Sequence, residues 1–210
     1  MTAIAAIAIS YLLGSIPTAA IAGRIRGVDL RKKGSGNLGA TNALRVLGPS
    51  IGVPVLAVDV AKGALAVLAV AALPGAAAQL GPGGIRLACG LAAIAGHIAP
   101  VFAGFRGGKG VATACGVFLA MAPLAAAACV GLWLALVLLT RYVSVGSIAA
   151  AAALPFAVLI ETRLRNIPQP LPLIAVAAVV AIFVVARHRP NIRRLVVGTE
   201  NKFSFTREKS

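Results

Sequence analysis

Residues 111–139 read VATACGVFLAMAPLAAAACVGLWLALVLL, an apolar run that contains no charged residue and a single proline, Pro123. A straight helix through the whole run would be about 43 Å long, whereas one membrane pass needs about 20 residues. The run is therefore too long for one pass and too short for two full passes. If it crossed the membrane once, the basic C-terminal tail would lie opposite the other basic segments. The positive-inside rule favours a turn at Pro123, with two short helices at about 111–122 and 124–139.

The composition around this run is that of an integral membrane protein. The 210 residues are 60% hydrophobic and only 12% charged, with a mean hydropathy of +0.96, whereas roughly a quarter of residues are charged in soluble domains. The net charge of +15 does not indicate a nucleic-acid partner, because the apolar runs leave no polar surface for such a domain. We interpret it as a determinant of topology and as affinity for anionic headgroups or phosphorylated substrates.

The apolar segments predict an all-α polytopic membrane protein with a single integral domain over residues 1–210. Seven transmembrane or half-membrane helices are expected at about 2–23, 51–73, 86–101, 111–122, 124–139, 145–160 and 171–186. The basic residues lie mainly between these spans, and the positive-inside rule predicts cytoplasmic segments at 24–50, 102–110, 140–144 and 187–210. The N-terminus is then outside and the C-terminus cytoplasmic.

Two spans contain polar interruptions. Residues 14–17, GSIP, break the first span, and we slightly favour a tolerated kink over backbone opened toward a site. Asp59 and Lys62 lie three residues apart in the second span, so they can pair on one helix face. Ionisable groups inside a span often mark a functional interior. Here a structural ion pair is an equally good interpretation.

Three polar clusters flank the spans on the predicted cytoplasmic side. The first, GSGNLGATNALR at residues 34–45, combines three glycines with neutral hydrogen-bonding side chains and Arg45. Glycine lets backbone N–H groups approach an anion closely, and a guanidinium can bind two phosphate oxygens. Such a segment can hold a phosphate, although Gly, Ser and Asn also build ordinary loops.

The second cluster, GGKG at residues 107–110, opens into the apolar run, so free N–H groups, a helix N-terminus and Lys109 coincide. The third follows the last span and contains His188, Asn191 and Glu200 among arginines. A solvated basic flank would explain the arginines but not these three residues. Because each cluster begins or ends a membrane helix, we expect all three to line one site at the cytoplasmic interface.

The sequence disfavours metal-dependent chemistry. It has five acidic residues and two histidines, too few and too scattered for a carboxylate-held Mg²⁺ site or a zinc cluster. Neither histidine is followed within five residues by aspartate, so the His-x4-Asp dyad of the common acyltransferases is absent. The prediction is metal-free chemistry, with no cofactor, on anionic substrates beside a bilayer.

Taken in order, the three clusters closely resemble the cytoplasmic motifs of the bacterial acyl-phosphate:glycerol-3-phosphate acyltransferase family (PlsY type). The matching residues are GSGNLGATN at 34–42 with Arg45, GH at 96–97 through GGKGVAT at 107–113, and HxxNxxRL at 188–195 through Gly198 to Glu200. GSIP at 14–17, DxxKG at 59–63 and RYxS at 141–144 look like further family features.

The resemblance implies transfer of a fatty acyl group from acyl phosphate to the 1-hydroxyl of sn-glycerol 3-phosphate, at the cytoplasmic face of the bacterial inner membrane. It also implies a partnership with the soluble enzyme that makes acyl phosphate. The implied catalytic residues are Ser35, Arg45, Lys109, His188 and Asn191. The implied substrate-binding residues are Gly36, Asn37, Thr41, Asn42, His97, Gly107, Gly108, Gly110, Thr113, Ser144, Arg194 and Glu200.

Two rival functions belong to other classes. A small transporter of a phosphorylated anion would also need basic, glycine-rich segments, but it would place polar groups at mid-membrane in both halves of the chain. A membrane-embedded structural protein would explain the hydrophobicity without needing three polar motifs.

Overall fold

The computed structural model describes residues 1–168 and 171–203. Within these ranges the chain forms ten α-helices and no strand. The first six are α1 (Ala3–Gly14), α2 (Thr18–Ile25), α3 (Ala40–Leu47), α4 (Pro49–Leu65), α5 (Gly81–Ile98) and α6 (Val111–Met121). The other four are α7 (Pro123–Thr140), α8 (Val143–Leu164), α9 (Leu171–Arg187) and α10 (Arg189–Val196). A π-helical turn at Ala66–Val70 extends α4.

Five helical stretches in the described ranges are long and apolar enough to cross a membrane: Ala3–Ile25, Pro49–Val70, Gly81–Ala103, Pro123–Thr140 and Val143–Leu164. Helices α9 and α10, bent by 53° relative to each other, make a sixth candidate, and α6 is a shorter apolar helix. This architecture confirms the predicted all-α polytopic membrane fold. The orientation of the termini stays a prediction.

The apolar run that opened the sequence is divided where its proline lies. Helix α6 ends at Met121, Ala122 has non-helical dihedral angles (φ −144°, ψ 73°), and α7 begins at Pro123. Proline is well tolerated at the first position of a helix, because its missing N–H would have no intrahelical partner there. The run therefore forms two helices. How each of them crosses the membrane stays a prediction.

The helices fall into two compact units, and the single integral domain over residues 1–210 stays a prediction. The first unit is Met1–Met121 and the second begins at Ala122. In the first, α1 packs on α5 and α4 packs on α6, both through glycines. A Cβ on Gly14, Gly63, Gly96 or Gly116 would collide with the backbone of the facing helix. Small residues of this kind allow membrane helices to approach closely.

The second unit is built on α8, which packs against both α7 and α9. The carboxylate of Glu161 is buried there and accepts a 2.8 Å hydrogen bond from the backbone N–H of Ala125, in the first turn of α7. Its other oxygen lies 2.8 Å from the guanidinium of Arg165. A carboxylate at a helix N-terminus is favoured by the helix dipole, so Glu161 joins α8 to the start of α7.

Several helix limits differ from the expected ones. Helix α5 begins at Gly81, before the expected start of its span at residue 86, and α8 continues to Leu164, past the expected end at residue 160, so that it includes Arg163. Long basic side chains can extend from the end of a membrane helix into water, so the limits of the membrane spans themselves stay predictions. Part of the predicted cytoplasmic segment 24–50 is also helical, because α3 occupies Ala40–Leu47 and α4 already begins at Pro49.

Candidate functional site

A break in the first span supplies a backbone acceptor in the first unit. Helix α1 ends at Gly14 and α2 begins at Thr18, so the carbonyl of Ile16 lies in the break, where it accepts from the backbone N–H of Thr18 at 3.0 Å. The ammonium of Lys62 donates to this carbonyl at 3.2 Å. The GSIP interruption is therefore more than a kink, because its opened backbone binds a buried cation.

Asp59 and Lys62 form the ion pair that their spacing predicted. The Lys62 Nζ lies 2.8 Å from Oδ1 of Asp59, and the two side chains are 3% and 2% exposed. The hydroxyl of Thr18 donates to the same carboxylate oxygen at 3.1 Å. A buried ion pair needs such additional hydrogen bonds to offset the desolvation of both charges.

His97, near the end of α5, lies between this ion pair and the second glycine cluster. It is 6% exposed, and its Nδ1 is 3.6 Å from Oδ1 of Asp59. Its other ring nitrogen faces Gly108, since a Cβ on Gly108 would collide with Nε2 of the imidazole. The sequence predicted His97 as a substrate-binding residue. In the structure its imidazole lies beneath the glycine cluster.

The second glycine cluster belongs to a turn, residues 104–110, which we call the motif-2 turn. Its backbone folds back on the end of α5: the N–H of Gly107 donates to Ile98 O at 3.2 Å, and that of Gly108 donates to His97 O at 3.1 Å. Gly104, with φ of +63°, and Gly110, with φ of +83°, lie in the left-handed region that favours glycine. Helix α6 starts at Val111, so the turn leads directly into a helix N-terminus.

Lys109 of the motif-2 turn is half-buried, and Gly107 beside it is partly accessible. Thr113, in the first turn of α6, is fully buried, and its hydroxyl finds no hydrogen-bond partner within residues 1–168 and 171–203. A lysine, accessible backbone and a helix N-terminus are the components of an anion site. The turn therefore has the chemistry to hold a phosphate.

The first glycine cluster forms a loop, residues 34–39, which we call the motif-1 loop, and its shape depends on Asn42. This side chain is buried; its amide nitrogen donates to the carbonyls of Leu30 and Lys33, both at 3.1 Å. Its amide oxygen accepts from the backbone N–H of Ser35 at 2.8 Å. The sequence predicted Asn42 as a substrate-binding residue, but in the structure its amide is engaged with the loop.

The other predicted residues of the first cluster lie near the surface of the unit. Ser35, Gly36, Thr41 and Arg45 are exposed, and Asn37 is half-buried. The loop also meets the motif-2 turn, because a Cβ on Gly39 would lie 4.0 Å from the Cα of Gly108. The structure thus brings the first two sequence motifs together in one unit.

A small cavity lies where the motif-1 loop, the motif-2 turn and the ion pair meet. Its volume is about 10 Å³, the space of about one water molecule. It is lined by Ile16, Pro17, Thr18, Leu38, Asp59, Lys62, His97, Pro100, Gly107 and Gly108. The buried ion pair and His97 therefore line the same cavity as residues of the motif-1 loop and the motif-2 turn.

The third motif occupies the second unit, at the bend between α9 and α10. The two helices are bent by 53° around His188. His188 is buried, and its Nδ1 lies 2.7 Å from the carbonyl oxygen of Val184. A carbonyl can only accept, so Nδ1 carries the proton and donates. In the neutral imidazole, Nε2 is then the nitrogen that carries no proton.

Asn191 and Arg194, one turn apart on α10, both hold the carboxylate of Glu200. The amide nitrogen of Asn191 donates to Oε1 at 2.6 Å, and Nε of Arg194 donates to Oε2 at 2.7 Å. Although burial acts to raise it, hydrogen bonds from Asn191 and Arg194 hold the pKa of Glu200 below its ordinary value, and the buried Ser144 of α8 lies close to the same carboxylate. Four predicted site residues therefore form one cluster in the second unit.

Sequence reasoning did not identify the partners of these groups. The roles of the Ile16 carbonyl and of Thr18 depend on contacts across more than forty residues, for which the sequence gives no signal. The participation of Asp59 and Lys62 was signalled by two charges in an apolar span.

The structure shows no cluster of metal-ligating side chains in the described part of the chain. No three His, Cys, Asp or Glu side chains there are close enough together to hold an ion.

Comparison with known proteins assigns these motifs to a family. The sequence profile described as "Glycerol-3-phosphate acyltransferase" matches residues 4–198, nearly the whole chain. The chain belongs to the glycerol-3-phosphate acyltransferase family. The glycerol-3-phosphate acyltransferase of Geobacter sulfurreducens is 46% identical over 197 residues, which cover 93% of this chain and 95% of the relative. That of Chlorobaculum parvum is 41% identical over 229 residues, 99% of each chain.

Solved structures of the family share the fold. The crystal structure of PlsY (YgiH), described as an integral membrane glycerol 3-phosphate acyltransferase in its glycerol 3-phosphate form, matches with a TM-score of 0.83 and 40% identity over 96% of each chain. Its lysophosphatidic acid form matches with a TM-score of 0.80 and 39% identity, over 96% of this chain and 95% of that one. The family resemblance, the acyltransferase class and the multi-pass membrane fold are therefore confirmed.

Proposed function

We propose that this acyltransferase moves a fatty acyl group from acyl phosphate to the 1-hydroxyl of sn-glycerol 3-phosphate, without a metal ion. The observation that carries the proposal is the motif-2 turn, where partly accessible glycine backbone and Lys109 precede the N-terminus of α6 and contact the motif-1 loop. Glycerol 3-phosphate and acyl phosphate both present a phosphate to such a site. The products would be lysophosphatidate and inorganic phosphate.

The proposed reaction needs no covalent enzyme intermediate. The 1-hydroxyl oxygen of glycerol 3-phosphate attacks the acyl carbonyl carbon, the bond from that carbon to the phosphate oxygen breaks, and phosphate leaves with the bonding electron pair. The hydroxyl proton passes to a base. Because phosphate is a good leaving group, the protein has mainly to orient two anionic substrates and to neutralise charge.

The first unit would bind the phosphates. Arg45 and Lys109 would provide the positive charges. The N–H groups of Gly107 and Gly108 are already bound to the end of α5, so Gly107, Gly108 and Gly110 would contribute by letting glycerol 3-phosphate approach Lys109 and the N-terminus of α6 closely. Ser35, whose position is fixed through the Asn42 amide, would help to orient it. In the second unit, Asn191 would orient substrate while its amide nitrogen remains bound to Glu200. That both clusters serve one reaction is a prediction from the sequence.

His188 has two possible roles, and both use Nε2. With Nδ1 donating to Val184 O, Nε2 of the neutral ring can accept the hydroxyl proton as a general base. In the second role, the protonated ring binds a phosphate, and the phosphate of the acyl donor takes the proton. A pH–rate profile separates them, because a general base loses activity as pH falls whereas a phosphate-binding imidazolium loses activity as pH rises, and the corresponding limb should disappear in the His188→Gln variant.

The carboxylates are paired with protein cations, which supports a metal-independent reaction. Asp29 is paired with Arg31, Asp59 with Lys62, Glu161 with Arg165, and Glu200 with Arg194. Each carboxylate in the described ranges therefore has a protein cation as a partner. A divalent ion would have to compete with these cations for the carboxylates, so activity is expected to persist in EDTA.

The positive-inside rule supports a site on the cytoplasmic face of the inner membrane. There the polar acceptor and the soluble enzyme that makes acyl phosphate would have access to it. The acyl chain would lie among helices rich in Ala, Val and Leu. These side chains offer apolar surface without polar groups that would need partners.

Product analysis by mass spectrometry tests the proposal. Purified protein in detergent receives glycerol 3-phosphate with either acyl phosphate or acyl-CoA, in EDTA. We expect 1-acylglycerol 3-phosphate and phosphate in equal amounts from acyl phosphate, and much less product from acyl-CoA. Product only from acyl-CoA would refute the donor assignment. Absence of product, with uptake of glycerol 3-phosphate into proteoliposomes, would favour a transporter.

A further inference from the structure

We infer that Asp59, Lys62 and His97 form a positioning network, called here the buried network, that fixes the motif-2 turn from beneath. The expected effect of this network on the KM for glycerol 3-phosphate rests on the proposed function. These three side chains lie on two different membrane helices, α4 and α5, and they are among the few buried charged or titratable groups in the first unit. Together with Gly107 and Gly108 they line a cavity of about 10 Å³, the space of about one water molecule.

The lower part of the network joins three elements of the chain. Lys62 on α4 binds both the Asp59 carboxylate, at 2.8 Å, and the Ile16 carbonyl in the break of the first span, at 3.2 Å. Thr18, at the start of α2, adds a 3.1 Å hydrogen bond to Asp59. A lysine of α4 that donates to a backbone carbonyl of the break fixes the position of that break relative to α4.

The upper part of the network, His97, connects the ion pair to the motif-2 turn. The Nδ1 of His97 faces the Asp59 carboxylate at 3.6 Å, so this edge of the ring lies against the negative charge of the ion pair. The opposite edge of the ring packs against Gly108, where a side chain would otherwise lie. The backbone of His97 also accepts from Gly108 N–H. Through His97, Asp59 acts on the backbone that directly precedes Lys109.

This arrangement explains why an ion pair is kept inside a membrane helix. A buried ion pair contributes little net stability compared with apolar residues of similar volume, because both charges are desolvated. Its effect here is geometric: the carboxylate orients His97, and the ring limits the positions available to Gly108. The residues are positioning residues, because they act through the turn.

The test replaces the ion pair by apolar side chains of similar volume, in the double variant Asp59→Val/Lys62→Met. This change leaves no unpaired buried charge, so we expect the melting temperature to stay within a few degrees of wild type. Hydrogen–deuterium exchange at the amides of Gly107 and Gly108 should be at least tenfold faster. The KM for glycerol 3-phosphate should rise at least tenfold, with less than a threefold change in the KM for acyl phosphate.

Glu161→Gln is the matched control, since Glu161 is a buried, ion-paired carboxylate of the second unit. It should lower the melting temperature and leave both the exchange of the turn amides and the KM for glycerol 3-phosphate unchanged. If the double variant behaves in the same way, the ion pair is merely structural and the inference is wrong. Unaltered exchange at Gly107 and Gly108 overturns it even if the protein proves to have another activity.

The His97→Asn variant covers the case in which the double variant does not fold. Asparagine keeps an amide near Asp59 and removes the part of the ring that contacts Gly108. We expect faster exchange of the turn amides and a raised KM for glycerol 3-phosphate. Wild-type exchange and kinetics in this variant would contradict the inference. A wild-type enzyme that does not turn over acyl phosphate would instead refute the proposed function, while the exchange measurement would still decide the role of the network.

Discussion

The substitution Gly108→Ala isolates the contact between the motif-2 turn and His97. The backbone of Gly108 is not in the left-handed region, since no positive φ is found there, so an alanine is conformationally acceptable. The difficulty is steric, because the new Cβ would collide with the buried imidazole of His97. Either the ring or the turn must move.

The expected magnitude follows from the cost of inserting a methyl group into a packed site, about 1–3 kcal/mol. For a chain of this size each kcal/mol lowers the melting temperature by about 2–4 °C. If the turn moves instead of the ring, the same free energy is lost from substrate binding. The KM for glycerol 3-phosphate would then rise roughly 5- to 150-fold, because about 1.4 kcal/mol corresponds to a factor of ten.

The assay compares Gly108→Ala with Gly83→Ala, both in the first unit. A Cβ on Gly83, in the first turn of α5, meets no atom within 4 Å, so this control should change stability by less than about 1 kcal/mol. Adding His97→Ala to Gly108→Ala removes the collision, so the double variant should be less destabilised than the sum of the single variants. Additive effects, or a Gly108→Ala enzyme that behaves like Gly83→Ala, would refute the reasoning.

Three further predictions concern other contacts. Asn42→Ala leaves two carbonyls and the Ser35 N–H without their partner. The free energy of unfolding should fall by about 1–3 kcal/mol, and proteolysis of the motif-1 loop should increase. Unchanged proteolysis would contradict this prediction. The pKa of folded Glu200 lies below its ordinary value of 4.5, so its stabilising contribution is present above that value and is lost as pH falls through the lowered pKa. The melting temperature of wild type should therefore fall more steeply in acid than that of Glu200→Gln, and parallel profiles would show that Glu200 does not contribute. Asp29→Asn breaks an exposed pair with Arg31 and should leave the melting temperature unchanged. A clear decrease would mean that this pair orders the chain segment that contains it.

Much of the fold follows from the sequence because membrane helices are long, apolar and bounded by charge. The division of residues 111–139 followed from length, Pro123 and the side on which the basic tail should lie. The Asp59–Lys62 pair followed from helical spacing. The ends of α5 and α8 did not follow, because arginines can lie within the terminal turns of a membrane helix.

The site was predictable as a set of motifs but not as a set of contacts. Glycine-rich composition indicated phosphate binding, and the family resemblance supplied the residues. Local spacing could not show that Asn42 binds the loop backbone, or that His97 lies between Asp59 and Gly108. These contacts depend on tertiary packing, in which Asp59 and His97 are brought together from two helices.

The most direct test of the central claim is acceptor-dependent phosphate release by the purified enzyme in EDTA. Acyl phosphate is supplied with and without glycerol 3-phosphate, and wild type is compared with Lys109→Ala at matched melting temperature. We expect release that requires both substrates, persists in EDTA and is lost in the variant. Release that does not depend on glycerol 3-phosphate, that stops in EDTA or that is unchanged in Lys109→Ala would contradict it.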